Sequence, residues 1–240
     1  MRISRFLAII LVSIFLLAPL RWGQAGEANE AVYQTRRERM VETQIVSRGI
    51  TDEKVLQAMR KVPRHLFVDE SQRTYAYEDR PLPIPCGQTI SQPYIVALMT
   101  ELLELRGEEK ALEVGTGSGY QAAVLSEIID EVYTIEIFEE LGVAAKKRLS
   151  HLGYQKVRVR VDDGYYGWPE KAPFDVIIVT CAVGHIPPSL IEQLKEGGRM
   201  CLPLGSPFLV QTLMLVEKRN GQVTSRSILP VRFVPLLGKH

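Results

Sequence analysis

Three alternating glycines, Gly115, Gly117 and Gly119, follow the apolar run Ala111-Leu112-Glu113-Val114 and precede the helical pattern Tyr120-Gln121-Ala122-Ala123-Val124-Leu125. That order predicts a strand, a tight turn and a helix N-terminus. Glycine lets a backbone approach a ligand that side chains would exclude, and the free N–H groups of a first helical turn favour polar or anionic atoms. The spacing is G-x-G-x-G, however, and not the G-x-G-x-x-G of a pyrophosphate-binding turn. Glu113, two residues before Gly115, places a carboxylate at the carboxyl end of the strand. It would repel a pyrophosphate but could pair with a cationic amino group. The loop reads as a site for S-adenosyl-L-methionine, and the same features disfavour a nicotinamide cofactor.

Further chemistry-bearing residues flank this loop. Glu136 ends the β-rich run Glu131-Val132-Tyr133-Thr134-Ile135, 17 residues past Gly119. In doubly wound folds an acidic residue there accepts hydrogen bonds from ribose hydroxyls; a plain surface glutamate is the alternative. Asp162-Asp163-Gly164 follows the alternating run Val157-Arg158-Val159-Arg160-Val161, where a carboxylate and a glycine can meet an adenine edge. Upstream, Gln88, Thr89 and Ser91 are polar groups on a loop stiffened by Pro81, Pro83 and Pro85, and Gly87 permits a close turn there. Ser91 could equally cap the helix that follows. His65, in Pro63-Arg64-His65-Leu66, is a lone histidine in a turn, a setting more often structural than catalytic. Cys86, Cys181 and Cys201 form no C-x-x-C and cannot all pair, which argues against a disulfide framework or a zinc site. Cys181 and Cys201 sit in or beside expected core strands and suit the role of small buried hydrophobes.

The elements that must position these groups can be read in order. A helical pattern runs from Thr35 to Gly49, with Met40, Val41, Ile45 and Val46 on one face. Thr51 or Asp52 can cap the next helix, which buries Val55, Leu56, Met59 and Val62 and stops at Pro63. Tyr94 to about Leu105 reads as a helix with Ile95, Leu98, Met99 and Leu102 as its stripe, and 141–149 as another. The run 174–180 is almost continuously apolar, as a central parallel strand requires. A helix is expected over 187–195, ended by Gly197-Gly198, and a strand over 199–204. Asn220-Gly221 between two strand-like runs signals a hairpin. The tail from Val231 to Leu236 could pack back near the site. The fold expected is α/β: a Rossmann-like, doubly wound, mostly parallel sheet with a C-terminal antiparallel hairpin and an N-terminal helical extension.

Composition sets the surroundings. Apolar residues make up 46% and charged residues 24% of 240, with a formal charge of only +1, so a basic nucleic-acid binder is not expected. Arg2 and Arg5 precede an apolar run from Phe6 to Leu20, and Gly23-Gln24-Ala25 has small residues at cleavage spacing. This is the pattern of an export signal. The run of 15 residues is shorter than the roughly 20 that span a bilayer, although an uncleaved anchor is the alternative. The expected organisation is a signal peptide over 1–25, a polar leader over 26–34 and one domain over 35–240. Removing Arg2, Arg5 and Arg21 from 29 basic residues leaves 26 against 28 acidic, a net −2. The mature chain is expected in the periplasm as a monomer without stable membrane association; an unused signal would leave it in the cytoplasm.

Gly87-Gln88-Thr89-Ile90-Ser91-Gln92-Pro93, Leu112-Glu113-Val114-Gly115-Thr116-Gly117-Ser118-Gly119-Tyr120-Gln121 and Arg232-Phe233-Val234-Pro235-Leu236 occur in one order. With Pro63-Arg64-His65-Leu66-Phe67-Val68 and the strand ending at Thr180, the chain closely resembles the protein-L-isoaspartate O-methyltransferases over roughly residues 35–237. The glycine loop is shared by many methyltransferases; the 88–91 loop placed before it is far more specific. The resemblance implies methyl transfer from S-adenosyl-L-methionine to the α-carboxylate of L-isoaspartyl residues in damaged proteins and peptides, starting repair through a succinimide. It implies that Ser91 orients the acceptor carboxylate, with Thr89, Ile90, Val234 and Pro235 around the peptide. Glu113 and the turn Gly115, Thr116, Gly117, Ser118 and Gly119 would hold the methionine end of the cofactor, Glu136 would take the ribose hydroxyls, and Asp163 and Gly164 would approach the adenine. Gln88 and Ile137 would also bind the cofactor, with no metal required. Pro85-Cys86 stands where the family usually has a glycine and a polar residue. A methyltransferase for another carboxylate or small molecule, and a non-catalytic module that binds isoaspartyl sites, are the competing readings.

Overall fold

The computed structural model describes residues 22–239. Its main sheet has seven strands: β3 Lys110–Val114, β4 Glu131–Glu136, β5 Val157–Val161, β6 Phe174–Val179, β7 Leu194–Leu204, β8 Gln211–Arg219 and β9 Gln222–Val231. A separate two-stranded ribbon pairs β1 Leu82–Pro83 with β2 Thr89–Ile90. The order across the large sheet is β5-β4-β3-β6-β7-β8-β9. The first five are mutually parallel and the last two antiparallel to their neighbours. The chain winds outward from β3 to β5, then crosses back to β6 and winds the other way. The carboxyl ends of β3 and β6 therefore diverge, which leaves a crevice at that point.

Alternation along the central strands decides what covers each face. Ala111, Val132, Val176, Ile178 and Cys201 pack toward α3 Pro93–Glu101 and α4 Tyr120–Ser126 through Met99, Ala122 and Leu125. Leu112, Val114, Ile177, Val179 and Met200 pack the opposite way, against Leu190 of α6 Pro188–Gln193. α1 Trp22–Met40, α2 Glu53–Lys61 and α5 Glu139–His151 complete the helices. Met40 and Ile45 join Val55, Met59, Phe67 and Tyr120 in a further cluster, so the N-terminal helices are part of the wall behind the site.

Several elements fall where the pattern placed them. Asp52 caps α2, its carboxylate accepting from the N–H groups of Lys54 and Val55 at 2.8 and 3.2 Å. The hairpin turn has Asn220 at φ 54° and Gly221 at φ 71°, as a type I′ turn requires. Cys181 and Cys201 are both buried and unpaired. Other boundaries moved. The first helix is already formed at Trp22, the first described residue, and not only from Thr35, so it takes in the segment read as a polar leader; it continues through a π-helical turn, Val41–Ile45, and a 3₁₀ turn, Val46–Arg48. α3 stops at Glu101, and Val96, Ala97, Met99 and Thr100 are its most buried residues, with Ile95 and Leu98 partly covered. Gly197-Gly198 does not end a helix. α6 is already over at Gln193, and the glycines lie inside β7, which pairs Phe174 with Leu194 and then Val176 with Arg199. The extra residues bulge there. A Cβ at Gly198 would lie 2.8 Å from the carbonyl oxygen of Asp175, so glycine permits the close approach.

The loop before the site is rigid for a visible reason. β1 and β2 pair antiparallel, and the turn between them is closed by Gln88 N–H donating to the Pro85 carbonyl at 3.2 Å. Cys86 and Gly87 both have positive φ, 59° and 67°. Glycine tolerates that at no steric cost; cysteine does not, whereas asparagine adopts it more readily. Cys86→Asn is expected to raise the melting temperature by roughly 2–4 °C, measured by thermal unfolding. An unchanged or lower value would show that the turn carries no such strain.

Candidate active site

The crevice at the β3/β6 divergence encloses about 730 Å³, counting its open mouth. Its lining combines Gln88–Ser91 of the loop before α3, Glu113 of β3 with Gly115–Ser118 of the turn after it, Glu136 and Ile137 at the end of β4, Gly164 after β5, and Val234 and Pro235 of the tail. Of the residues assigned from sequence to the cofactor or the acceptor, only Gly119 and Asp163 are outside the lining. Gly119 is the left-handed residue at the start of α4, and a Cβ there would sit 3.2 Å from Leu149 on α5. It therefore serves helix packing. The Asp163 carboxylate accepts from the backbone N–H groups of Tyr165 at 3.0 Å and Lys239 at 3.1 Å.

Backbone pins the glycine turn to the next strand. The N–H groups of Gly115 and Thr116 both donate to the Ile135 carbonyl, at 2.9 and 3.1 Å. Gly117 N–H donates to Glu136 Oε2 at 2.7 Å, and Phe138 N–H to Glu136 Oε1 at 3.0 Å. Glu136 thus ties the turn after β3 to the turn after β4. Each oxygen keeps a second lone-pair direction for a hydroxyl donor. It is 5% exposed, so the surface-glutamate alternative does not describe it.

Glu113 is fully buried. Its Oε2 accepts from Thr134 Oγ1 at 2.6 Å, Thr134 and Thr116 share a further 2.6 Å contact, and its Oε1 has no hydrogen-bond partner among the described residues. Burial pushes its carboxyl up to about 8; the Thr134 hydrogen bond opposes this and the nearby Glu136 adds to it. A buried, half-satisfied carboxyl beside a second carboxylate makes this part of the crevice a place for a cation and a poor one for a phosphate.

Ser91 precedes α3, but the cap position is Gln92, and no side-chain cap forms there. Among the described residues the Ser91 hydroxyl has no protein partner, so the crevice is the side on which it can find one. His65 is elsewhere: its ring stacks on Tyr33 at 3.9 Å, and Nδ1 is 2.7 Å from the Tyr77 hydroxyl. Burial, with Arg37 and Arg73 nearby, holds it down to about 4. Its Nε2 lies 3.4 Å from the Glu30 carboxylate, so it is a structural residue, as its lone setting suggested.

Sequence reasoning gave no site role to Thr180 or Tyr120, which also line the crevice, as does Leu236 in the tail expected near the site. Thr180 follows β6, and its Oγ1 donates to the Gly115 carbonyl at 2.7 Å and lies 2.6 Å from where a Gly115 Cβ would be. Its signal was available: in this strand order the residue after β6 must face the turn after β3. The tail reaches the site through Ala182, whose N–H donates to the Val234 carbonyl at 2.7 Å and whose carbonyl accepts from Leu236 N–H at 2.8 Å.

The doubly wound sheet and its glycine turn are those of the methyltransferase fold, and two carboxylates line the crevice. The family model for protein-L-isoaspartate(D-aspartate) O-methyltransferase matches residues 35–240, and the chain belongs to that family. A protein-L-isoaspartate O-methyltransferase 2 of Syntrophobacter fumaroxidans is 54% identical over 237 residues, covering 95% of this chain and 96% of its own. A solved protein-L-isoaspartate O-methyltransferase superposes with a TM-score of 0.77 at 31% identity, covering 85% of this chain and 66% of the longer one. A Plasmodium falciparum protein assigned the same activity, solved with S-adenosyl-L-homocysteine, gives 0.73 at 25% identity over 84% of this chain and 98% of its own.

The raised carboxyl of Glu113 has a pH signature. Unfolding lets it ionise in the usual carboxylate range, whereas the folded protein keeps its proton to about pH 8. The folded form therefore binds more protons between those limits, and the Glu113 contribution to stability falls as pH rises through them. Glu113→Gln is expected to gain melting temperature over the wild type at pH 8 and to lose that advantage at pH 5. Parallel melting curves across this range would mean that the carboxyl is ionised in the free protein.

Proposed function

We propose that this chain is a protein-L-isoaspartate O-methyltransferase that uses S-adenosyl-L-methionine to esterify the α-carboxylate of L-isoaspartyl residues in damaged proteins and peptides. The observation that carries the reading is that the acceptor-side loop 88–91 and the glycine turn 115–118 line one and the same crevice. The cofactor fits the residues present: Glu113 has one buried oxygen without a partner, suited to an amino group, and Glu136 has lone pairs left for ribose hydroxyls. When bound, the cofactor supplies a methyl group already activated on a sulfonium.

The protein's own work is then mainly placement. An isoaspartyl carboxylate is nucleophilic at neutral pH, so no general base is needed; it must be held in line and at near-attack distance. Ser91 donates its hydroxyl to one carboxylate oxygen and leaves the other free to react. Thr89, Ile90, Val234 and Pro235 line the peptide side, where backbone groups of the 234–236 tail can pair with an extended substrate. Gln88, Thr116, Ser118, Ile137 and Gly164 shape the cofactor side. Asp163 acts there through the backbone it caps, and Gly119 through the helix it starts. Among the described residues no group of three metal-ligating side chains occurs.

The export signal over 1–25 lies outside the described residues apart from the backbone of 22–25. Its basic start, apolar run and small-residue site support secretion to the periplasm, where long-lived proteins accumulate isoaspartate. No described helix is long and apolar enough to cross a membrane. We take the mature chain to act as a monomer.

The test uses labelled S-adenosyl-L-methionine and two peptides differing only in L-isoaspartate against aspartate. Base-labile methyl ester is expected on the isoaspartyl peptide alone, and Ser91→Ala is expected to lower kcat about tenfold to a hundredfold, the worth of a hydrogen bond to a charged group. Transfer to neither peptide, with the cofactor bound, would reject the substrate. Purification from native cells is expected to yield a chain beginning near Gly26; one beginning at Met1 would reject cleavage.

A further inference from the structure

Arg64, in the 3₁₀ turn Arg64–Leu66, is 0% exposed and among the largest fully buried side chains. Nε donates to the Ala76 carbonyl at 2.8 Å and Nη2 to the Ser91 carbonyl at 2.7 Å. The guanidinium carbon lies 4.8 Å from the centre of the Tyr120 ring, and Nη1 has no hydrogen-bond partner among the described residues. No carboxylate is among the groups that act on it; burial lowers it to about 10 while Tyr120 and Tyr77 oppose the shift, so it stays a cation at neutral pH.

A buried cation with a bare N–H and no carboxylate partner is a poor way to stabilise a core, and an apolar side chain of similar volume would pack there at lower cost. What the guanidinium holds gives the better account of it. The helical bonds of α3 begin at the Gln92 carbonyl, which accepts from Val96 N–H at 3.1 Å. The Ser91 carbonyl is thus outside the helix, and it is also beyond the β2 pairing that ends at Ile90. On the far side of this junction, Gln92 is fixed by Nε2 donating to Asp79 Oδ1 at 2.7 Å. Arg64 supplies the matching restraint on Ser91, and the ring it covers, Tyr120, lines the same crevice.

We propose that Arg64 is a positioning residue for methyl acceptance. Holding the Ser91 peptide from behind and lying on Tyr120, it sets the direction in which the Ser91 hydroxyl meets the acceptor carboxylate. Lysine cannot replace it, because a single ammonium does not reach two carbonyls in a fixed plane and cover a ring as well. The inference rests on the reading of Ser91 as the acceptor-orienting group.

The test is a double-mutant cycle of Arg64→Lys and Ser91→Ala in the full chain. Rates on the isoaspartyl peptide are taken per site titrated with S-adenosyl-L-homocysteine, so misfolded protein does not count. Arg64→Lys is expected to bind S-adenosyl-L-homocysteine within about twofold of wild type and to lose about tenfold or more in kcat. In the Ser91→Ala background the same change is expected to cost less than about threefold, because the group it orients is gone. Independent losses that multiply, or a kcat per titrated site equal to wild type, would make Arg64 purely structural and overturn the proposal. Ser91→Ala with full activity would remove the Ser91 reading itself and the proposal with it. Arg64→Gln, which keeps an amide donor, runs the same cycle should the lysine variant not fold. Failure of both to bind S-adenosyl-L-homocysteine would make Arg64 a requirement of the fold alone.

Discussion

The turn after β3 is held against β4 by backbone, and the crevice exists because of that contact. Gly115 and Thr116 both spend their N–H groups on the Ile135 carbonyl, with Gly115 at φ 99° and Thr180 occupying the space its Cβ would need. Only glycine meets both conditions. With the turn fixed there, Glu113 is sealed beneath it and Glu136 is drawn across to Gly117, so two carboxylates share one apolar-walled space. The charge preference of the crevice is thus a consequence of where one backbone segment can lie.

The two sides of the crevice are built by different means. The cofactor side belongs to the sheet and inherits its rigidity from strands buried on both faces. The acceptor side hangs on a short ribbon, β1 with β2, and on the junction into α3. Such a junction has no ladder of its own, and its groups must find partners from other elements. Gln92 with Asp79, and Arg64 with Ser91, supply them. The N-terminal helices, none of whose described residues lines the crevice, are nonetheless packed behind it, with Met40, Val55 and Met59 in one cluster with Phe67 and Tyr120.

Legibility followed the range of the physics. The glycine turn, the acidic residues at strand ends and the Asn220-Gly221 hairpin are local in origin and could be read from spacing. So could the place of His65, since a lone histidine in a turn beside Pro63 and Arg64 is more often structural than catalytic. Thr180 was missed because its importance depends on strand order, which brings residues 65 positions apart into contact. Gly197-Gly198 misled for a related reason: glycines that stop a helix and glycines that let a strand bulge look alike until the neighbouring strand is known. Arg64 was the least legible of all. Nothing in a local pattern distinguishes a buried arginine from the exposed one that base expectation favours.

The crevice draws its walls from stretches as far apart as residues 88 and 237. Contacts of such separation form only after long loops have closed, and parallel strands with their crossovers are slow to find one another. A partly folded chain can keep helices, and even the late hairpin, without bringing 88–91, 115–118 and 234–236 together. Ligand binding is therefore a late event in folding and an early loss in unfolding, and a molecule that can take the cofactor is one whose whole sheet has already closed.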